Sequence, residues 1–126
     1  MFKNRISVEQ VEESTELAPK FDQNGLIVVT TVDVLNDQIL MTGYMNKEAL
    51  EKTIATKEAY YFSRSHQSIW HKGATSGFVQ KVREILIDDD QDALYMRVEI
   101  PENSASCHVG YKSCFYRKIK LEDNQN

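Results

Sequence analysis

Two cysteines, two prolines, five glycines and one tryptophan are all that the 126 residues contain of those types, and each scarcity excludes something. Two cysteines cannot build the disulfide framework of a small secreted domain. The basic start Met1-Phe2-Lys3-Asn4-Arg5 is not followed by the apolar core of a signal peptide. The chain therefore reads as a cytoplasmic protein whose thiols are available to a metal. No apolar run approaches the ~20 residues of a membrane span. Lys and Arg number 15 against 19 Asp and Glu, for a net charge of −4, which lacks the basic face of a nucleic-acid binder. Without a low-complexity tract, linker or internal repeat, the expectation is one domain over residues 1–126, with an N-terminal arm at 1–24 and a frayed tail at 120–126.

What is abundant is β-forming sequence. Residues 26–32 read as a strand, Asn36-Asp37 as a turn and residues 38–44 as the returning strand. Asn46 is a good cap for a helix to about Lys57, with Ala49, Leu50 and Ile54 on one face. Residues 58–63, 78–87, 93–100 and 115–119 read as further strands. Residues 64–77 read as one long polar loop, which a compact domain keeps only for a purpose. A weak rhythm at Val8, Val11 and Leu17, stopped at Pro19, suggests a short helix or an arm lying on a partner subunit. The sum is an α+β fold, mostly antiparallel β-sheet with one clear helix, in a compact single domain.

Chemistry concentrates in three places. Asp88-Asp89-Asp90-Gln91-Asp92 puts four carboxylates in five residues. Such a cluster is either a solvated hairpin tip or a set of hard oxygen ligands for a divalent cation. Arg64-Ser65, Lys72-Gly73 and Thr75-Ser76 offer guanidinium, ammonium, hydroxyl and glycine-flanked N–H groups to a phosphate, with Trp70 as a flat face for a base or ribose. The competing reading is a polar surface loop. Cys107 and Cys114 are spaced too widely for a structural zinc knuckle and could be packed side chains. Packing is the default reading at this spacing; their polar loop argues against it, and an open metal site would need one more ligand from elsewhere, which the acidic run could provide.

Taken together, Tyr44-Met45-Asn46, Ser63-Arg64-Ser65, Trp70, Lys72-Gly73, Thr75-Ser76-Gly77, Gln80, Asp92-Ala93-Leu94 and Cys107-His108-x-Gly110-x-x-Ser113-Cys114-Phe115-Tyr116-Arg117 closely resemble the phosphoribosyl-AMP cyclohydrolase family, over roughly residues 12–118. The resemblance implies a cytoplasmic, intertwined homodimer with metal sites at its interface. It implies hydrolysis of the N1–C6 bond of the purine ring of 1-(5-phosphoribosyl)-AMP, the third step of histidine biosynthesis. In the family, zinc on three cysteines activates a water and magnesium lies in the acidic run. Carried onto this chain, Cys107 and Cys114 are zinc ligands and Asp88, Asp90 and Asp92 the magnesium set. Arg64, Ser65, Lys72, Thr75 and Ser76 would hold phosphates, with Trp70 near a base or ribose. His108 is the first candidate for general acid or base, and His71 the second.

The chain also departs from the family. The acidic run there reads Asp-Cys-Asp-x-Asp, and its cysteine is the first zinc ligand; here Asp89 takes that place. A Cys107, Cys114, Asp89 set is chemically possible, but the harder oxygen shifts preference from Zn²⁺ toward Fe²⁺ or Mn²⁺. Ala74 replaces a common glutamate, His71 a basic residue and Tyr111-Lys112 a frequent arginine pair. Two alternatives to the family activity therefore stand: a metal-dependent hydrolase for a different nucleotide ring, and a non-catalytic metal- or nucleotide-binding module.

Overall fold

The computed structural model describes residues 1–107 and 110–123; His108 lies outside the described residues. In chain order the elements are α1 (Val8–Glu13), β1 (Ile27–Asp33), β2 (Ile39–Met45), α2 (Lys47–Thr56), β3 (Tyr60–Ser63), β4 (Ser68–His71), β5 (Lys81–Ile87) and β6 (Ala93–Glu99). The fold is α+β, and antiparallel pairs predominate. β2, β1, β6 and β5 form one sheet in that order, and β3 with β4 forms a second. The centre of the larger sheet is a parallel pair, β1 with β6, running from Val28 opposite Ala93 to Asp33 opposite Val98.

Local chemistry explains most boundaries. The Asp33 carboxylate accepts the N–H of Leu35 at 2.9 Å, and Asp37 takes a left-handed φ of 59°, which turns β1 into β2. Asn46 caps α2 by accepting the Ala49 N–H at 2.8 Å, and left-handed Lys57 closes it with a bond to the Thr53 carbonyl. The buried face of α2 is Ala49, Leu50 and Thr53, whereas Ile54 is exposed, against the expected face. Thr53 is buried because its hydroxyl has local partners, the Ala49 carbonyl at 2.8 Å and the Tyr60 N–H at 3.0 Å. Ile27, Val29, Leu40, Met45, Leu50, Tyr61, Met96 and Val98 form the core between the sheet and α2.

Two further expectations change, and the expected short N-terminal helix is present as α1. Residues 64–77 are not a single loop, since Ser68–His71 returns along β3 with Tyr61 opposite Trp70. Polar neighbours hid that short alternation. Residues 115–119 form no strand, and Phe115, Tyr116 and Ile119 are exposed, so their β-forming character finds no sheet partner within this chain. The N-terminal arm packs on its own chain's acidic turn. There buried Gln91 donates to the carbonyls of Val11 at 2.8 Å and Glu16 at 3.1 Å and accepts the Ala18 N–H at 2.7 Å. Among the described residues no helix is long and apolar enough to cross a membrane.

Candidate metal and nucleotide site

The two cysteines stand on a loop held at several points to the end of the β1–β2 pair. The Cys114 N–H donates to the Leu40 carbonyl at 2.7 Å and the Ser113 hydroxyl to the Ile39 carbonyl at 2.6 Å. Lys112 pairs with buried Asp33 at 2.9 Å. Within the loop, Ser106 and Cys107 donate their N–H groups to the carbonyls of Lys112 and Tyr111, each at 3.1 Å. This doubling-back brings the thiols into contact. Burial pushes the Cys114 thiol up, and its neighbour Cys107, through charge and a hydrogen bond, pushes the same way while Lys72 opposes them. No disulfide joins the pair.

Lys72 belongs to this cysteine centre. Its ammonium donates to the Ser106 carbonyl at 2.9 Å and lies 5.4 Å from the centre of the Trp70 ring. Burial lowers its pKa, and the two thiols counteract that shift. The Cys114 thiol reaches the same carbonyl at 3.7 Å. The ammonium is the one contribution that favours the ionised, metal-binding form of Cys114, and burial with Cys107 outweighs it.

The other expected phosphate ligands spread along the β3–β4 hairpin. Arg64 and Ser65 are at its tip, where the guanidinium stacks over the Tyr44 ring at 4.2 Å and Ser65 contacts Ser63 and His66 at 3.3 Å each. Thr75 and Ser76 are exposed on the turn between Gly73 and Gly77 at the opposite end. The strand between the two ends separates them by about 10 Å. His71 is tied down by the Glu58 carboxylate at 2.7 Å and stacks on Tyr60.

The acidic run forms the tight β5–β6 connection. The Asp88 carboxylate accepts the N–H groups of Asp92 at 2.9 Å and Ala93 at 3.1 Å, so part of its capacity is spent on the turn. Asp88, Asp89 and Asp90 offer oxygens within 4.8 Å of one another, all exposed. Asp92 bonds to both Asp90 and Asp88. Hard, clustered oxygens fit magnesium in kind.

The acidic turn and the cysteines do not meet within one chain. Cys114 bonds at Leu40, beside Met41, whose partner is Thr31. Thr31 lies opposite Met96, whereas the acidic turn ends at Ala93 opposite Val28, about 10 Å away along the strands. Among the described residues, no group of three close metal-binding side chains includes either cysteine. The expected Cys107, Cys114, Asp89 set is thus split between opposite ends of the sheet.

The phosphoribosyl-AMP cyclohydrolase family model matches residues 41–116, a span from β2 through the cysteine loop. The chain belongs to this family. It is 50% identical over 114 residues to a phosphoribosyl-AMP cyclohydrolase of Bradyrhizobium diazoefficiens, covering 90% of this chain and 80% of that one. It is also 50% identical over 115 residues to one of Rhodopseudomonas palustris, covering 91% and 78%. To a third, from Rhizobium rhizogenes, it is 45% identical over 116 residues, covering 92% and 78%.

Within this family member, sequence reasoning missed Glu58, Tyr61, Ser106 and Gln91. The first three contact site residues, and Gln91 seats the arm on the acidic turn. None has a local signal, because each acts on a residue remote in sequence.

Proposed function

We propose that this protein is a metal-dependent phosphoribosyl-AMP cyclohydrolase of histidine biosynthesis, hydrolysing the N1–C6 bond of the purine ring of 1-(5-phosphoribosyl)-AMP in the cytoplasm. The observation that carries the reading is the meeting of Cys107, Cys114 and Lys72 around the Ser106 carbonyl, in a chain of that family. Two thiols in contact fit a soft or borderline metal, and the third ligand in this reading is Asp89 of a second copy in a homodimer. Zinc, or iron or manganese in this modified set, would act there as a Lewis acid on a bound water, and zinc lowers the pKa of such a water to about 7.

The chain's own residues do the rest. Lys72 holds charge at the thiols and lies over the ring of the partly exposed Trp70, whose indole is offered to a base or ribose. The substrate carries a phosphate on each of two riboses. Arg64 with Ser65 suits one, and the exposed hydroxyls of Thr75 and Ser76, on the turn closed by the Gly77 N–H to the Gly73 carbonyl at 2.8 Å, suit the other. The carboxylates of Asp88, Asp90 and Asp92 would hold magnesium. His108 and, second, His71 are the general acid or base candidates; the Glu58 bond to His71 fixes its ring orientation.

The test is to strip the purified protein of metal, reload it separately with Zn²⁺, Fe²⁺ and Mn²⁺ in the presence of Mg²⁺, and follow ring opening of phosphoribosyl-AMP by ultraviolet absorbance. Turnover with at least one metal is expected. Absence of turnover with all three removes the proposal, and turnover confined to another nucleotide transfers it to a different ring substrate.

A further inference from the structure

A buried polar side chain costs stability unless each of its ends is bonded. Gln80, with none of its surface exposed, has both ends in use. Its Oε1 accepts the Tyr61 hydroxyl at 2.6 Å. Its Nε2 donates to the Ser106 Oγ and to the Met41 Sδ, each at 3.4 Å. Methionine sulfur only accepts, so the amide can face it only with its nitrogen, and the orientation of Gln80 follows. Because the Tyr61 proton is committed to Gln80, the bond between Thr31 Oγ1 and Tyr61 at 2.7 Å must be donated by the threonine. Burial raises the ionisation of Tyr61 far above neutral pH, so the donor persists. The result is a one-directional relay, from Thr31 in the sheet through Tyr61 and Gln80 to Ser106, the residue before Cys107. The Ser106 carbonyl then receives both Lys72 and Cys114.

The geometry points to Gln80 as a positioning residue for the cysteine pair, acting through Ser106 rather than by touching substrate. This inference rests on the reading of the cysteines as metal ligands. An apolar side chain of similar size would fill the same core volume, so packing alone does not call for glutamine here. What glutamine adds is an acceptor facing the core and a donor facing the loop, and only the second reaches the sulfur centre. Partners that orient ligands in this way commonly change metal affinity by ~10–100-fold when removed.

The experiment uses the full chain with Co²⁺ alone as probe, in wild type, Gln80→Met, Ser106→Ala and the double variant. In the wild type, Co²⁺ is expected to produce thiolate-to-metal charge-transfer absorption. Gln80→Met is expected to weaken Co²⁺ binding at least ~10-fold and to move the band. Ser106→Ala should reproduce both changes, and the double variant should be no worse than either single one, because both break the same connection. A second readout needs no metal: with EDTA present, alkylation of buried Cys107 by iodoacetamide, followed by peptide mass spectrometry, should accelerate several-fold in both single variants.

If wild-type Co²⁺ gives no thiolate band, the metal reading fails, and alkylation alone decides the positioning role. If Gln80→Met does not fold, Ser106→Ala carries both readouts. Wild-type Co²⁺ affinity, spectrum and alkylation rate in Ser106→Ala and in any folded Gln80 variant would overturn the inference. A loss of thermal stability without those changes would mark Gln80 as a core residue only.

Discussion

The ammonium of Lys112 lies 2.9 Å from the carboxylate of Asp33, and this pair ties the end of β1 to the loop that carries both cysteines. Burial pushes the Asp33 carboxyl up, but the Leu35 N–H and Lys112 outweigh it and the group is held low. A depressed native pKa contributes stability above the unfolded carboxyl range and loses it as pH falls through the native value. Lys112→Met should therefore cost about 1 kcal/mol at pH 7, a figure kept small because the lysine side chain is 42% exposed. The deficit should shrink below about pH 4 as Asp33 becomes protonated in the variant. Urea unfolding of both proteins at the two pH values checks this, and an equal deficit at both would contradict it.

This pair also shows where sequence reading reaches its limit. The first two strands, the Asn46 cap and the acidic turn were legible because each is written locally, in alternation, a capping residue or a charge run. Lys112, by contrast, read only as half of the Tyr111-Lys112 pair that replaces two arginines frequent in the family. Its engagement with Asp33 depends on a return of 79 positions (from 33 to 112) that no local pattern announces. The hydroxylic neighbours of Lys72 suggested a phosphate ligand, and its bond to the Ser106 carbonyl, 34 positions on, likewise has no local signal. The Ser68–His71 strand was hidden because a four-residue element carries too few alternations to stand out among polar residues. Four acidic residues looked like one ligand supply, yet the parallel register of β1 with β6 places them away from the cysteines.

Gly73, next to Lys72, sits at a close approach of the backbone to Val79. Its φ is +87°, and a Cβ there would lie 2.3 Å from the Val79 nitrogen, a backbone atom that cannot swing away. Gly77 has a similar φ of +82° but open space around it. Gly77→Ala should cost about 1 kcal/mol, the conformational penalty alone. Gly73→Ala adds a backbone collision and should cost about 3 kcal/mol or more. Chemical denaturation of the two variants separates the terms, and equal losses would show that the turn relaxes around the added methyl.

The carboxyl of Asp92 is pushed up to about 6 through its hydrogen bond with Asp90, with desolvation and Asp88 adding to the effect. The native state therefore holds this proton more tightly than the unfolded chain does. This group's contribution to stability should fall as pH rises from about 4, the ordinary aspartate range, toward 6 and stay flat above that. A divalent cation among the carboxylates would replace the shared proton. In carboxyl-labelled protein, the Asp92 titration midpoint measured by NMR should drop below about 4 on saturation with Mg²⁺. An unchanged midpoint at saturating Mg²⁺ would remove magnesium from this turn.

The separation of Asp89 from Cys107 and Cys114 within one chain makes the shared site a question of subunit mixing. Asp89→Ala removes the proposed carboxylate ligand and leaves the cysteines; Cys114→Ser does the reverse. Each variant alone should lose turnover. In a heterodimer of the two, the cysteines of the first chain face the Asp89 of the second, which makes one complete site, while the other site lacks both contributions. Random exchange makes half of the dimers mixed, so recovery should approach about a quarter of wild-type activity. Recovery well below that, with subunit exchange confirmed by mass spectrometry, would mean that Asp89 does not complete the cysteine site across an interface. Asp89→Cys sharpens the point, because a third thiolate in the same position should raise Zn²⁺ affinity over Mn²⁺. If that substitution changes neither metal content nor rate, Asp89 belongs only to the acidic turn, and the third ligand is another residue.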